Sequence, residues 1–225
     1  MVAAGDDNTS VAHAALANLY QTYWYPLYAY VRRRGRSADE ASDIVQGFFV
    51  SLLERRDFTR LNRERGRFRA FLLGSLQHFL ANDFARRNTL KRGGGTPSVP
   101  LILDGAEDRY VREPPDLLTP EMLYERRWAL TVIEQVLAGL REEWRQQHRE
   151  HVFDALRECL LGMPPPGGYA ETAAQVQMSE GAVKTAVHRL RRRFQGELQR
   201  LVSQTLSDPN DVDDEIRDLI RALNA

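Results

Sequence analysis

The sequence predicts an all-α protein of two helical domains joined by a Gly/Pro-rich linker, and three observations carry that expectation. Apolar residues recur at three- and four-residue intervals through most of the 225 residues, the spacing of one buried face on a helix. Residues 93–120 interrupt that pattern with three successive glycines and five prolines, a composition that suits a linker. Residues 169–194, YAETAAQVQMSEGAVKTAVHRLRRRF, read as two short helices about a tight turn, the second densely basic. The expected division is therefore 1–92, a linker 93–120, a second domain 121–207 and an acidic extension 208–225.

From Val11 to Arg34 the stripe Leu16, Leu19, Tyr20, Tyr23, Leu27, Tyr28 and Val31 marks a helix, with Pro26 set to kink it or divide it in two. Its aromatic side reads as core. Arg32, Arg33 and Arg34 before Gly35 make a helix stop. Ser37 with Glu40 forms a capping box for a helix over 38–55, whose stripe is Ala41, Ile44, Val45, Phe48, Phe49, Leu52 and Leu53. Asp39, Asp43, Gln46 and Glu54 fall outside it, so that side is either a plain solvated face or a docking surface.

A polar loop at 57–67 precedes a third helix over 68–88. Phe68, Phe71, Leu72, Leu76, Phe79, Leu80 and Phe84 are expected on its buried side, and Arg69, His78, Asn82, Arg86 and Arg87 on its polar side. Rings interleaved with cations beside a loop suit single-stranded nucleic acid, whose bases stack and whose backbone is anionic; an ordinary core helix accounts for the same residues equally well. Within the linker, apolar islands at 99–103 and 117–118 are expected to lie on a surface. Residues 121–161 return to helix with a break near 145–150, and 163–168 form a stiff turn into the basic pair of helices.

In that pair, Ala173, Val176, Met178, Val183, Ala186, Val187 and Leu190 close the two helices on each other. Ser179 is placed to cap the second helix, with Glu180 in its first turn. Lys184, Thr185, His188, Arg189, Arg191, Arg192 and Arg193 form a run that is costly to bury and suited to phosphates, the layout of a DNA-reading helix-turn-helix. A solvated amphipathic helix is the plainer alternative.

Net charge is zero but segregated: 184–200 hold six Lys or Arg against one Glu, and 208–218 hold six Asp or Glu against one Arg. A protein with one nucleic-acid patch and other protein-facing surfaces has this pattern. The single cysteine, Cys159, excludes an intrachain disulfide and a cysteine-based zinc cluster, and fits a reducing cytosol. The five histidines lack metalloprotease spacing, the triple glycine lacks the Lys-Ser or Lys-Thr of a phosphate loop, and no carboxylate pair has a cleft around it. No enzyme activity, metal or cofactor is expected. The beginning lacks the pattern of a secretory signal and no apolar run reaches membrane-spanning length, so a cytoplasmic place without membrane insertion is expected.

Taken together, these segments resemble a bacterial RNA polymerase sigma factor of the sigma-70 family, extracytoplasmic-function (group IV) type, over nearly the full length. ADEASDIVQGFFVSLLE is similar to the core-binding part of region 2, FRAFLLGSLQHFLANDFARR to the part that melts and reads the minus-ten element, and YAETAAQVQMSEGAVKTAVHRLRRRF to the region 4 helix-turn-helix that reads minus thirty-five. The resemblance implies core RNA polymerase and promoter DNA as partners, with an anti-sigma factor or a Ser/Thr kinase as a candidate third. It implies Asp39, Asp43, Gln46 and Phe49 at the polymerase clamp helices. It also implies Arg69, Asn82, Arg86 and Arg87, with the 59–67 loop, at minus ten. Lys184, Thr185, His188, Arg189, Arg191 and Arg192 would supply phosphate and base contacts at minus thirty-five. A stand-alone helix-turn-helix regulator of duplex DNA is the rival reading. Three features depart from the family pattern: Gln177 where the turn commonly has Gly, a longer 121–161 segment, and the acidic tail, expected to hold region 4 back or to meet a partner.

Overall fold

The computed structural model describes residues 4–54, 67–89, 105–112, 118–161, 167–206 and 208–224, with side chains described from residue 19 onward apart from 53–54, 83–89 and 161. The described residues are helical and contain no strand, and one isolated bridge pairs Arg67 with Leu206. The chain divides into two compact units, Met1–Leu130 with Thr205–Ala225, and Thr131–Gln204. That division differs from the boundaries read from the sequence in two ways. It falls inside a continuous helix, and the acidic tail belongs with the first unit.

The first unit is built on α1 (Ala4–Arg33), which packs against α2 (Ala38–Glu54) and α3 (Phe68–Thr89). Pro26 lies inside α1 without ending it. Around it Tyr23, Trp24, Leu27, Tyr28, Tyr30 and Val31 are buried, so the aromatic stripe is core. Trp24 and Tyr28 stack with ring centroids 5.1 Å apart. Gly35 ends the helix at φ 84°, its N–H donating to the Arg32 carbonyl at 2.9 Å, a left-handed stop that a residue with a Cβ adopts only with strain.

The capping box of α2 forms: the Glu40 N–H donates to Ser37 Oγ at 3.2 Å and the Ser37 N–H to Glu40 Oε2 at 3.0 Å. Ala41, Ile44, Val45, Phe48, Phe49 and Leu52 are the buried face that this start sets in register.

Part of the expected linker is a helix. α4 (Ala106–Val111) sits on α1, where Arg32 donates to both Glu107 oxygens, Nε to Oε2 at 2.9 Å and NH2 to Oε1 at 2.5 Å. Tyr28 Oη donates to the same carboxylate at 2.5 Å. The Arg109 guanidinium lies 4.3 Å from the Tyr25 ring centre, and that of Arg32 4.8 Å from the Tyr110 ring centre. Arginine over an aromatic face gains from the ring quadrupole, so six residues with a single buried apolar side chain, Ala106, are held chiefly by charge. Residues 93–104 and 113–117 of the expected linker, and the 59–66 part of the loop, lie outside the described residues.

The first half of α5 (Pro120–Gln146) adds Leu123, Tyr124 and Trp128 to the buried residues of this unit. A 3-10 turn at Pro209–Asp211 leads into α9 (Val212–Asn224), which completes it.

In the second unit, the rest of α5 is followed by α6 (Glu150–Leu156), a 3-10 turn at Arg157–Leu161, α7 (Gly168–Gln175) and α8 (Glu180–Ser203). The break expected near 145–150 is found at 147–149. Two helix ends here share one geometry. At the end of α5 the Arg149 N–H donates to Trp144 O at 2.9 Å and the His148 N–H to Arg145 O at 3.0 Å; at the end of α7 the Met178 N–H donates to Ala173 O at 2.9 Å and the Gln177 N–H to Ala174 O at 3.3 Å. These are Schellman closures, yet the left-handed residue in each is not glycine: His148 has φ 57° and Gln177 φ 54°.

Candidate nucleic-acid interface

The second helix of the basic pair starts as the sequence predicts. Ser179 is extended, and its Oγ accepts the Ala182 N–H at 3.2 Å, satisfying one of the donors that a helix start leaves open. α7 and α8 pack together, burying Ala173 on α7, Val176 in the turn after it, and Val183, Val187 and Leu190 on α8.

Turned away from that stripe are Thr185, His188, Arg189 and Arg192, all exposed. They recur at three- and four-residue steps, which places them on one face. Thr185 Oγ1 donates back to the Gly181 carbonyl at 3.0 Å. Lys184 flanks the face. It pairs with Glu180 at 2.6 Å and lies 5.5 Å from the Tyr169 ring centre, and the Glu180 carboxylate raises its pKa above the ordinary lysine value. Arg193, on the opposite flank, is held by Glu143 at 2.8 Å.

Arg191 does not join this face, contrary to expectation. Its Nε and NH2 both donate to the Cys159 carbonyl, at 2.9 and 2.6 Å. The cause is its register: it follows Val187 by four residues and Leu190 by one, on the side of α8 that closes the unit. Burial also pushes the Cys159 thiol upward, away from the reactive thiolate.

A cleft of about 350 Å³ adjoins the exposed face, lined by Trp144, Arg149, Met178, Gly181, Ala182, Thr185, Ala186 and Arg189. Arg149 stands there with its guanidinium 5.2 Å from the Trp144 ring centre. It adds a cation beside Arg189 that sequence reasoning missed, because it lies in the helix break, where no periodicity assigns it a side.

In the first unit the expected minus-ten group separates. Arg69 is only 6% exposed. Its Nε and NH2 donate to Glu215 at 2.6 and 3.2 Å, NH1 pairs with Glu125, and the guanidinium lies 4.7 Å from the Trp128 ring centre. In this structure Arg69 is an internal ion-pair partner and presents no surface to a nucleic acid. The reason is a partner of distant sequence position, which no local pattern reveals. Asn82 is exposed. Arg86 and Arg87 lie in the last turns of α3, and their side chains fall outside the described residues.

Phe71, expected in the core, is 37% exposed. It shares an exposed side of α3 with His78 and Asn82, at steps of seven and four. This face can offer a ring to a base and an amide to a base edge.

Of the residues expected at a polymerase, Asp39 and Asp43 are exposed and border a cavity of about 440 Å³ with Trp24, Tyr28, Ser42, Glu107 and Asp108. Gln46 is half-buried, its amide 3.5 Å from Ser42 Oγ. Phe49 differs from expectation. It is 9% exposed and packs on Tyr20 and Phe48, with centroids 5.1 and 5.8 Å away, so it serves the core of its own unit.

The acidic tail groups with the first unit. Glu215 and Asp218 of α9 pair with Arg67 and Arg69 of the first unit, the Arg67 Nε to Glu215 distance being 2.8 Å. Among the described residues no group of three or more metal-ligating side chains is gathered, and no helix is long and apolar enough to cross a membrane. No family model, curated protein or solved structure matches the chain.

Proposed function

We propose that the protein is a dissociable sigma subunit that joins core RNA polymerase and directs promoter recognition, reading duplex DNA with α8 and unpaired DNA with α3. The observation that carries this reading is the exposed face of Thr185, His188, Arg189 and Arg192 on a helix capped by Ser179 and opposed by a buried apolar stripe. A helix so built fits the major groove, where arginine can engage guanine bidentately and neighbouring cations meet phosphates. Exposed Phe71, His78 and Asn82 on α3 support a second contact with bases outside the duplex. Asp39 and Asp43 provide an acidic surface for the polymerase.

The test is transcription reconstituted with core polymerase on a promoter library. Initiation from a narrow promoter class, lost with Arg189→Ala, supports the proposal. Binding to duplex DNA without association with core polymerase would replace it by the stand-alone regulator.

A further inference from the structure

Two charged side chains are buried among the described residues, Arg69 and Glu215. They are 146 positions apart and meet at 2.6 Å. Around them Arg67 reaches Glu215 and Asp218, and Arg69 NH2 approaches Asp218 at 3.4 Å. The backbone follows the same path: the Phe68 N–H donates to the Thr205 carbonyl at 3.3 Å, and Arg67 bridges Leu206. The chain leading to α9 thus runs along the start of α3.

α9 is held by ion pairs and by one apolar side. Leu219 is its one fully buried apolar residue, Val212, Ile216, Ala222 and Leu223 are half-buried, and Ile220 is 51% exposed. Glu215 and Asp218, one turn apart, offer two anions to two guanidinium groups, the chemistry by which arginines take phosphate. An anion of higher charge density therefore competes for the same groups. Both described ion pairs of Arg67 are to α9, whereas Arg69 retains Glu125 without it.

We propose that α9 is an acidic clasp that occupies Arg67 and Arg69 in place of nucleic-acid phosphate, so that its release opens the start of α3 to single-stranded DNA. The proposal rests on the nucleic-acid reading of α3 given above. Arg67 is the principal phosphate ligand after release. Asp213 and Asp214, exposed on α9, take no part.

The test uses the full chain, a fluorescein-labelled single-stranded oligonucleotide of about 20 nucleotides, and amide hydrogen exchange over 212–224. The double variant Glu215→Gln with Asp218→Asn should speed exchange in α9 and tighten oligonucleotide binding about tenfold at fixed salt. Asp213→Asn with Asp214→Asn removes the same charge and should change binding less than about twofold. Adding Arg67→Ala to the first pair should cancel its gain.

In the unaltered protein, saturating oligonucleotide should by itself speed exchange in α9, a readout that needs no variant to fold. Slower or unchanged exchange there overturns the clasp. So do a released α9 with no tighter binding, an equal gain from both double variants, and loss of the α1–α3 core in the first. A duplex carrying the α8 site, measured alongside, separates the two ideas. Duplex binding without any single-strand effect sinks the clasp alone, and binding to neither sinks the sigma reading with it.

Discussion

Arg191 donates two hydrogen bonds to the Cys159 carbonyl, at 2.9 and 2.6 Å, from the middle of a helix whose other arginines face outward. It ties α8 to the 3-10 turn that follows α6. A charged donor on a part-buried carbonyl contributes about 2 kcal/mol. Arg191→Ala should therefore lower the stability of the second unit by about that amount, read by denaturant melts of the full chain. Its effect on DNA binding, measured well below the melting midpoint, should be small.

Arg189→Ala should do the reverse. The side chain is exposed beside Thr185 and the Arg149 cleft. Its loss should leave the melting midpoint unchanged and weaken binding to the preferred duplex by about 1–3 kcal/mol. Competition with unrelated duplex decides the role: a base-reading arginine loses discrimination, whereas a phosphate ligand weakens all sequences equally.

Phe71→Ala should weaken single-stranded binding by about 1–3 kcal/mol, the contribution of one base stacked on a ring. At 37% exposed, the ring should cost the fold less than a fully buried phenylalanine would. Fluorescence anisotropy with a short oligonucleotide and a melt of the same sample separate the two effects. A large stability loss with unchanged binding would return Phe71 to the core.

What the sequence made legible follows from the range of each interaction. The Ser37–Glu40 box, the Ser179 cap and the break after Gln146 span a few residues, and periodicity with capping chemistry located them. The all-helical class and the α8 stripe were readable for the same reason. Arg191 was readable in principle, since its register after Val187 and Leu190 places it on the closing side, but a run of arginines reads as one charged face. Phe71 was misplaced because a phenylalanine on an apolar helix resembles core whether or not a neighbour covers it. Arg69, Arg32 and α9 were beyond local reading, because their partners lie 146, 75 and more than a hundred residues away. Charge composition pointed the acidic tail toward the basic helix, while Arg67 and Arg69 are the cations that it meets.

Gln177 holds φ 54° in the turn between α7 and α8. A left-handed residue with a Cβ costs about 1–2 kcal/mol relative to the ordinary helical region, and glycine relieves most of this at some expense in unfolded-chain entropy. Gln177 is exposed, so no packing is lost. Gln177→Gly should raise the stability of the second unit by about 1 kcal/mol and leave duplex affinity unchanged. A destabilised variant would mean that the Gln177 side chain makes a contact that outweighs its strain.

Glu107 ties α4 to α1, and the Arg32 guanidinium holds its carboxyl below the ordinary glutamate value of 4.5. A carboxyl whose pKa is lowered on docking stabilises the docked form fully above its ordinary value, and that contribution disappears as pH falls through the lowered value. Because Glu107 is 38% exposed in this pair, solvent screens much of the interaction, and α4 should respond before the buried core of α1 and α2. Amide exchange over 105–112 should be unchanged from neutral pH down to the ordinary glutamate range, once corrected for intrinsic rates, and should accelerate below it. Glu107→Gln should show the fast exchange at every pH. If the variant exchanges as slowly as the parent at neutral pH, the ring contacts of Arg109 and Tyr110, rather than the carboxylate, hold the helix in place.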